Sequence, residues 1–361
     1  MPPPLPLSCD RPDIMTEHDI LELLRLPLPK LQALASEERS KGKGSHVFVR
    51  GLLEFSSLCR RNCLYCGLRK QNRRLERYTL TREQLLSAAE AAYRAGVDTF
   101  VLQSGEWEHD PKKLADCITT LKERFGLPVT LSVGEHKRED YALWRRAGAD
   151  RYLIKHETAS PELYARLHPG YTLEERVGAL RTLAELGYET GSGFIIGLPG
   201  QTLELLARDI LLVRNLHVAM CGVGPFVPQS ATPMAKVPAG SVELTLRVIS
   251  VLRLILPWAN LPTTTALASL SPVQGQRDGL LAGANVLMPS FTPQERRKSY
   301  TIYDNKAQVT MQAVREAIAQ AGLTHTLDEA MAARTQGCRT QNNGQTAFGN
   351  FSGMTSHDKT Q

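Results

Sequence analysis

From about residue 47 to residue 318 the chain repeats one pattern, a short β-branched or apolar run followed by an amphipathic stretch with helix punctuation. Runs with strand character fall at 47–55, 99–103, 129–133, 151–155, 190–197, 220–226, 261–265 and 285–288, which makes eight. Thr81 with Gln84 and Thr172 with Glu175 form capping boxes, and glycine stops follow at Gly96 and Gly187. Asp110 with Pro111 and Ser160 with Pro161 pair an N-cap with a first-turn proline. Parallel strands joined by such helices need both faces covered, and eight repeats close most naturally into a (β/α)8 TIM barrel. An open doubly wound sheet is the alternative, but its glycine-rich first turn is missing.

The rest of the chain is read around that barrel. Of 361 residues, 42% are hydrophobic and 22% charged, which excludes wholesale disorder. Residues 1–45 form an N-terminal extension with a proline-rich lead and one helix over 17–35, residues 46–325 the barrel, and 326–361 a polar, mobile C-terminal tail. Basic residues exceed acidic ones by six and mostly interleave with them, which argues against a nucleic-acid reader. With no signal peptide and no unbroken apolar span, the expectation is a cytoplasmic protein without a membrane partner.

Three of seven cysteines, Cys59, Cys63 and Cys66, sit within eight residues just after the first strand. That is a metal motif in a reducing compartment and not a disulfide framework. Zinc wants a fourth nitrogen or sulfur ligand, and neither His46 nor His109 has the spacing to supply one. A 4Fe-4S cluster has four corners, so three thiolates leave one iron open to another ligand. The loop places such a cluster at the C-terminal mouth of the barrel, where active sites of this fold lie. Arg60 and Arg61 are candidates to offset its negative charge. Along strand four Arg151, Leu153, Lys155 and Glu157 alternate inward, which suggests an anion-binding face; in strand three Thr130, Ser132 and Gly134 do the same.

The run Cys59-Arg60-Arg61-Asn62-Cys63-Leu64-Tyr65-Cys66, with an aromatic residue before its last cysteine, resembles the radical S-adenosylmethionine signature. Further strings narrow the likeness: Gln103-Ser104-Gly105-Glu106, His156-Glu157-Thr158, Gly197-Leu198-Pro199-Gly200-Gln201-Thr202, Gly224-Pro225-Phe226 and Pro262-Thr263-Thr264-Thr265-Ala266. Together they resemble the HydE family of FeFe-hydrogenase maturases over residues 48–303.

The resemblance implies one 4Fe-4S cluster on Cys59, Cys63 and Cys66, and S-adenosylmethionine held by Tyr65, Gln103, Ser104, Glu157 and Arg176. On the substrate side it implies Thr130, Lys155, Thr264, Thr265, Tyr300 and Tyr303. The implied reaction applies a 5'-deoxyadenosyl radical to an iron-cysteine carbonyl cyanide complex, a precursor of the hydrogenase di-iron cluster. Other hydrogenase maturation proteins and a ferredoxin- or flavodoxin-type electron donor are the implied partners. Lys155 departs from relatives that carry arginine, keeping the charge but losing the bidentate fork. No cysteine lies within 307–316, so an accessory second cluster is expected to be absent; Cys117 and Cys221 read as core thiols. Methylornithine synthase, biotin synthase and a non-catalytic iron-sulfur scaffold are the rival functions.

Overall fold

A computed structural model describes residues 15–331 except Asp328; most of the expected tail, together with Cys9 and Cys338, lies outside the described residues. Nine strands are assigned among them: β1 Phe48–Ser56, β2 Thr99–Ser104, β3 Val129–Ser132, β4 Arg151–Leu153, β5 Glu189–Ser192, β6 Ile195–Ile196, β7 Met220–Cys221, β8 Gly224–Pro225 and β9 Val286–Leu287. The main sheet is parallel throughout, in the order β7-β5-β4-β3-β2-β1-β9, and β6 pairs with β8 beside it.

The seventh expected strand, 261–265, is not a strand. It is reduced to single bridges, Asn260 to Met220 and Pro262 to Val286, and these link β7 to β9 and close the ring. Two buried polar side chains make that closure. Asn285 accepts at its Oδ1 from Leu261 N at 2.8 Å and from Arg253 Nη2 at 3.0 Å, and its Nδ2 donates to Asn260 Oδ1 at 2.9 Å. Arg253 has no carboxylate beside it and instead donates to the carbonyls of Gly283 at 2.8 Å and of Pro257 and Ala259 at 3.0 Å. Burial lowers its pKa to about 10, so it stays charged at neutral pH and sits at the carbonyl end of helix Val242–Ile255, where the helix dipole favours a cation.

The fifth and sixth expected strands each split in two. Gly193, at φ 159°, turns the chain between β5 and β6; a Cβ there would stand 1.9 Å from the carbonyl of Gly222, so only glycine fits. The expected helix over 17–35 is likewise two, Glu17–Arg25 and Leu28–Lys43, because Pro27 cannot continue the first and starts the second well. Both capping boxes and both proline-started helices form as the sequence indicates.

Alternation is clean in the strands that matter. Val129, Leu131 and Val133 are fully buried against the outer helices, and from 151 to 160 every second residue is buried while the others are half-buried toward the interior. The N-terminal helices complete the outer layer, with Ile20, Leu24 and Leu31 buried among residues of helices Leu203–Asn215 and Val242–Ile255. Among the described residues no helix is long and apolar enough to cross a membrane.

Asn285→Ala tests the closure. It strands the Leu261 amide and one Arg253 donor inside the protein, and the expected loss is about 3 kcal/mol in urea unfolding. A loss below about 1 kcal/mol would show that Asn285 does not hold the ring shut.

Candidate active site

The cysteine loop leaves β1 and is fastened to three other segments by backbone bonds, Arg60 N to Glu106 O at 2.7 Å, Leu64 N to Leu167 O at 2.9 Å and Gly67 N to Ile302 O at 2.9 Å, and is closed on itself by Lys70 N to Arg61 O at 2.8 Å. The turn after β2 presses directly on it. A Cβ at Gly105 would lie 2.2 Å from Leu58 O and 2.8 Å from Cys59 Cβ, so glycine is required by close approach.

Cys59, Cys63 and Cys66 are half-buried free thiols. Burial pushes all three upward, Cys63 to about 12; the charge of Cys59 adds to the rise of Cys63, and those of Cys63 and Cys59 to the rise of Cys66. Protons in that setting are held until a metal displaces them. Among the described residues no three His, Cys, Asp or Glu side chains are gathered tightly enough for one ion. A cubane instead takes one thiolate at each of three irons, so it does not need three sulfurs gathered on one ion. The backbone of Arg61 and Glu106 lowers the Cys59 thiol and that of Leu68 the Cys66 thiol, against the rise from burial, which suits sulfurs carrying negative charge.

Beneath the loop lies a buried network of ion pairs. Glu106 meets Arg61 in a very short contact, Arg60 at 3.3 Å and Arg176 at 3.7 Å; Glu135 meets Arg61 at 2.6 Å and Arg176 at 2.8 Å. The Arg61 guanidinium also stacks 3.3 Å above the Tyr171 ring, and Arg176 donates to the Tyr164 hydroxyl at 3.1 Å. Burial alone would raise the Glu106 carboxyl, but Arg176 and Arg61 outweigh it and hold it below the usual carboxylate range. Glu106 therefore serves as the anchor of two buried arginines. Arg60 and Arg61 are bound to carboxylates rather than left exposed.

The residues expected to hold S-adenosylmethionine fall around this network. Tyr65 bonds His168 through its hydroxyl at 2.9 Å, and burial keeps His168 neutral with a pKa near about 4. Ser104 shares its hydroxyl with His109 Nε2 at 2.9 Å, while Gln103 is half-buried at the end of β2 beside Glu54 and Ser132. Glu157 takes a left-handed backbone, φ 64°, which a non-glycine residue adopts only when its surroundings impose it. Here the surroundings are two backbone bonds, from Glu157 N to Gly193 O at 3.0 Å and from Ile195 N to Glu157 O at 3.1 Å. Its flanking residue His156 is fully buried against Ser192 at 3.0 Å and Asp209 at 3.7 Å.

On the substrate side, Thr130 Oγ1 is buried without a hydrogen-bond partner. Lys155 Nζ stands 3.0 Å from Glu157 Oε2, yet that oxygen accepts no aligned hydrogen bond. Thr264 caps helix Thr265–Leu270, and Tyr300 is buried with Lys306 Nζ 4.9 Å from its ring centre. A cavity of about 240 Å³ separates β1 from the 297–309 segment and takes in Thr265.

The anion-binding face expected of strand four needs correcting. Arg151 pairs with Glu189 at 2.7 Å at the strand's start, about 13 Å of extended chain before Lys155, so the two cations do not act together. Sequence reasoning also missed Glu135, His168 and the Glu54–Lys306 pair. Glu54 lies on the inner face of β1 with Leu52 and accepts from Thr292 at 3.0 Å. A charge inside an apolar strand was the available signal; Lys306, on an irregular segment, offered none.

The Radical SAM superfamily profile matches residues 53–213. The chain is 46% identical over 276 residues to the FeFe hydrogenase maturase subunit HydE of Thermotoga maritima, covering 76% of this chain and 78% of that protein. It is 27% identical over 297 residues to the 3-methylornithine synthase of Methanosarcina acetivorans, covering 80% and 83%. The crystal structure of methylornithine synthase PylB superposes with a TM-score of 0.77 at 27% identity, over 86% of this chain and 94% of that one. The HydG maturase structure, at TM-score 0.76 and 17% identity over 86% and 72%, shares the fold.

Glu106→Gln tests the network. Removing that charge leaves Arg61 and Arg176 short of a carboxylate in a buried site, and the expected cost is about 3 kcal/mol with poorer retention of iron. Unchanged stability and iron content would show that Glu135 alone suffices.

Sequence, fold and site agree: the chain belongs to the HydE family of FeFe-hydrogenase maturases, within the radical S-adenosylmethionine superfamily, whose enzymes cleave S-adenosylmethionine reductively at a 4Fe-4S cluster.

Proposed function

We propose that this maturase acts on an iron-cysteine carbonyl cyanide complex during assembly of the FeFe-hydrogenase di-iron cluster, alongside other maturation proteins, and carries a single cluster. The observation that carries the reading is a cysteine triplet in a chain 46% identical to HydE, together with a buried Thr130 Oγ1 that has no hydrogen-bond partner and a Glu157 carboxylate paired with Lys155 at 3.0 Å.

When bound, the cluster and S-adenosylmethionine supply one electron and a 5'-deoxyadenosyl radical. The chain's own residues do the rest. Cys59, Cys63 and Cys66 hold three irons, and Glu157, fixed in its strained backbone, presents a carboxylate at the mouth to the methionine ammonium. Arg176 keeps its charge because Glu135 and Glu106 outweigh its burial, and Tyr65 is oriented by neutral His168. Thr130, Thr264 and Thr265 offer hydroxyls, and Tyr300 and Tyr303 stay protonated because burial raises both phenols. Lys155, paired with Glu157 Oε2 at 3.0 Å, is the group we assign to receive the carboxylate of a cysteine ligand.

The closest rival chemistry, rearrangement of lysine, needs carboxylates for two ammonium groups. The inward carboxylates Glu157 and Glu54 are already matched to Lys155 and Lys306. Burying a further unpaired ammonium is heavily penalised.

Anaerobic turnover separates the readings. With the cysteine-bound iron complex, 5'-deoxyadenosine is expected well above the substrate-free level, and with lysine it is not; conversion of lysine to methylornithine would overturn the assignment. Glu157→Gln is expected to weaken S-adenosylmethionine binding at least about tenfold while iron stays bound, as loss of a charge-assisted hydrogen bond implies. Joint replacement of Cys117, Cys221 and Cys338 by alanine is expected to leave about four irons per chain. A halved iron content would reveal a second cluster.

A further inference from the structure

The charge of the chain is concentrated in one place. Residues 60–77 contain seven basic residues and one acid, Glu76, an excess of six that equals the formal net charge of the whole protein. Within that segment the charges divide into two kinds. Arg60 and Arg61 face Glu106 and Glu135, Arg69 donates to Gln71 at 3.1 Å, and Arg77 donates to the carbonyls of Ser57, Leu68, Arg69 and Asn72. These four are structural. Lys70, Arg73 and Arg74 are exposed, and among the described residues none of them has an ion-pair partner.

The three exposed cations ride on a turn bonded directly to the cysteine loop. Arg69 N donates to Cys66 O at 3.1 Å, Lys70 N to Arg61 O at 2.8 Å and Gln71 N to Asn62 Oδ1 at 3.4 Å, while the four carbonyl contacts of Arg77 hold the turn to the loop's base. The positive surface is thus the outer side of the structure that holds the three thiols. All three cations are exposed, and the cavity beside β1 is not lined by any of them. An extended, rigid, unpaired positive surface speeds encounter with a negative macromolecule.

We infer that Lys70, Arg73 and Arg74 form the docking surface for an acidic one-electron donor protein. This rests on the reading of the chain as a radical S-adenosylmethionine enzyme, whose cluster must gain one electron per cleavage while the donor loses one. Redox encounters are small and short-lived, and steering by a few charges suits them. The remainder of the chain sums to formal neutrality, so this segment carries the chain's excess of positive charge.

The test uses the full-length, cluster-loaded protein with Lys70, Arg73 and Arg74 changed together to Glu. A second variant, with Arg146, Arg181 and Lys236 changed to Glu, lowers net charge equally at exposed positions elsewhere. 5'-Deoxyadenosine formation is followed with reduced flavodoxin at limiting concentration and, separately, with dithionite. The first variant is expected to lose about tenfold or more with flavodoxin, to lose most of its salt dependence, and to match wild type with dithionite. The second is expected to stay within about twofold of wild type with either reductant. An unchanged flavodoxin rate in the first variant, an equal fall in the second, or a parallel fall with dithionite would overturn the inference. If wild type forms no 5'-deoxyadenosine even with dithionite, the enzymatic reading itself fails, a result distinct from any of these.

Discussion

The active site depends on the ion-pair network of Glu106 and Glu135 with Arg61 and Arg176. Burying two guanidinium groups alone would cost several kcal/mol each, and two carboxylates alone would cost as much. Interleaved, with Tyr164 and Tyr171 taking up the remaining donor and π contacts, the four become compatible with burial. Their attachment points are the consequence that matters. Arg61 lies inside the cysteine motif, Glu106 follows β2, Glu135 follows β3 and Arg176 opens helix Leu173–Glu185. An irregular loop is thereby tied to three regular elements by contacts that lose their compensation if any one partner moves.

The same economy explains why strain and unpartnered atoms sit together at the mouth. Glu157 at φ 64° and Gly193 at φ 159° are joined by a backbone bond of 3.0 Å, so the kink that divides β5 from β6 also sets the pose of the carboxylate. Behind it His156, Ser192 and Asp209 form a fully buried polar group that fixes the strand end from the outer side. Such strain costs of order 1–3 kcal/mol, which the packing of His156 and Asp209 is in a position to offset. Thr130 Oγ1 is left without a hydrogen-bond partner, and Glu157 Oε2 has Lys155 Nζ at 3.0 Å without an aligned hydrogen bond.

Much of this was legible in the sequence, and the limits have physical causes. Helix starts were readable because capping is local: Thr81, Asp110, Ser160 and Thr172 each bond an amide two or three residues ahead. The cysteine triplet was readable because ligand spacing is local too. The seventh strand was misjudged because 261–265 has strand composition but too few ladder partners, its closure resting on Asn285 and Arg253 from elsewhere in the chain. Strand alternation placed Lys155 and Glu157 on one face correctly but did not reveal that they pair, and it grouped Arg151 with them although its partner is Glu189. Glu135 and Lys306 lie on irregular segments where no period exists to read.

The pairings inside the barrel have a further consequence for what the site can accept. Lys155 with Glu157 and Lys306 with Glu54 pair cation with carboxylate at the inner mouth, while Arg151 pairs with Glu189 at the strand's start. A ligand that carries one carboxylate gains by meeting Lys155 only if Glu157 finds another cation in exchange. The ammonium of S-adenosylmethionine is such a cation. Under the proposed assignments each ligand would free the group the other needs, and their binding would be coupled through one ion pair of 3.0 Å. The coupling comes from charge exchange at a half-buried site, where a single unit pair is worth more than in water and less than in a dry core. An organometallic complex with a cysteine carboxylate and neutral carbonyl groups suits that exchange, whereas a free diamine would add a cation where the barrel has no carboxylate to spare.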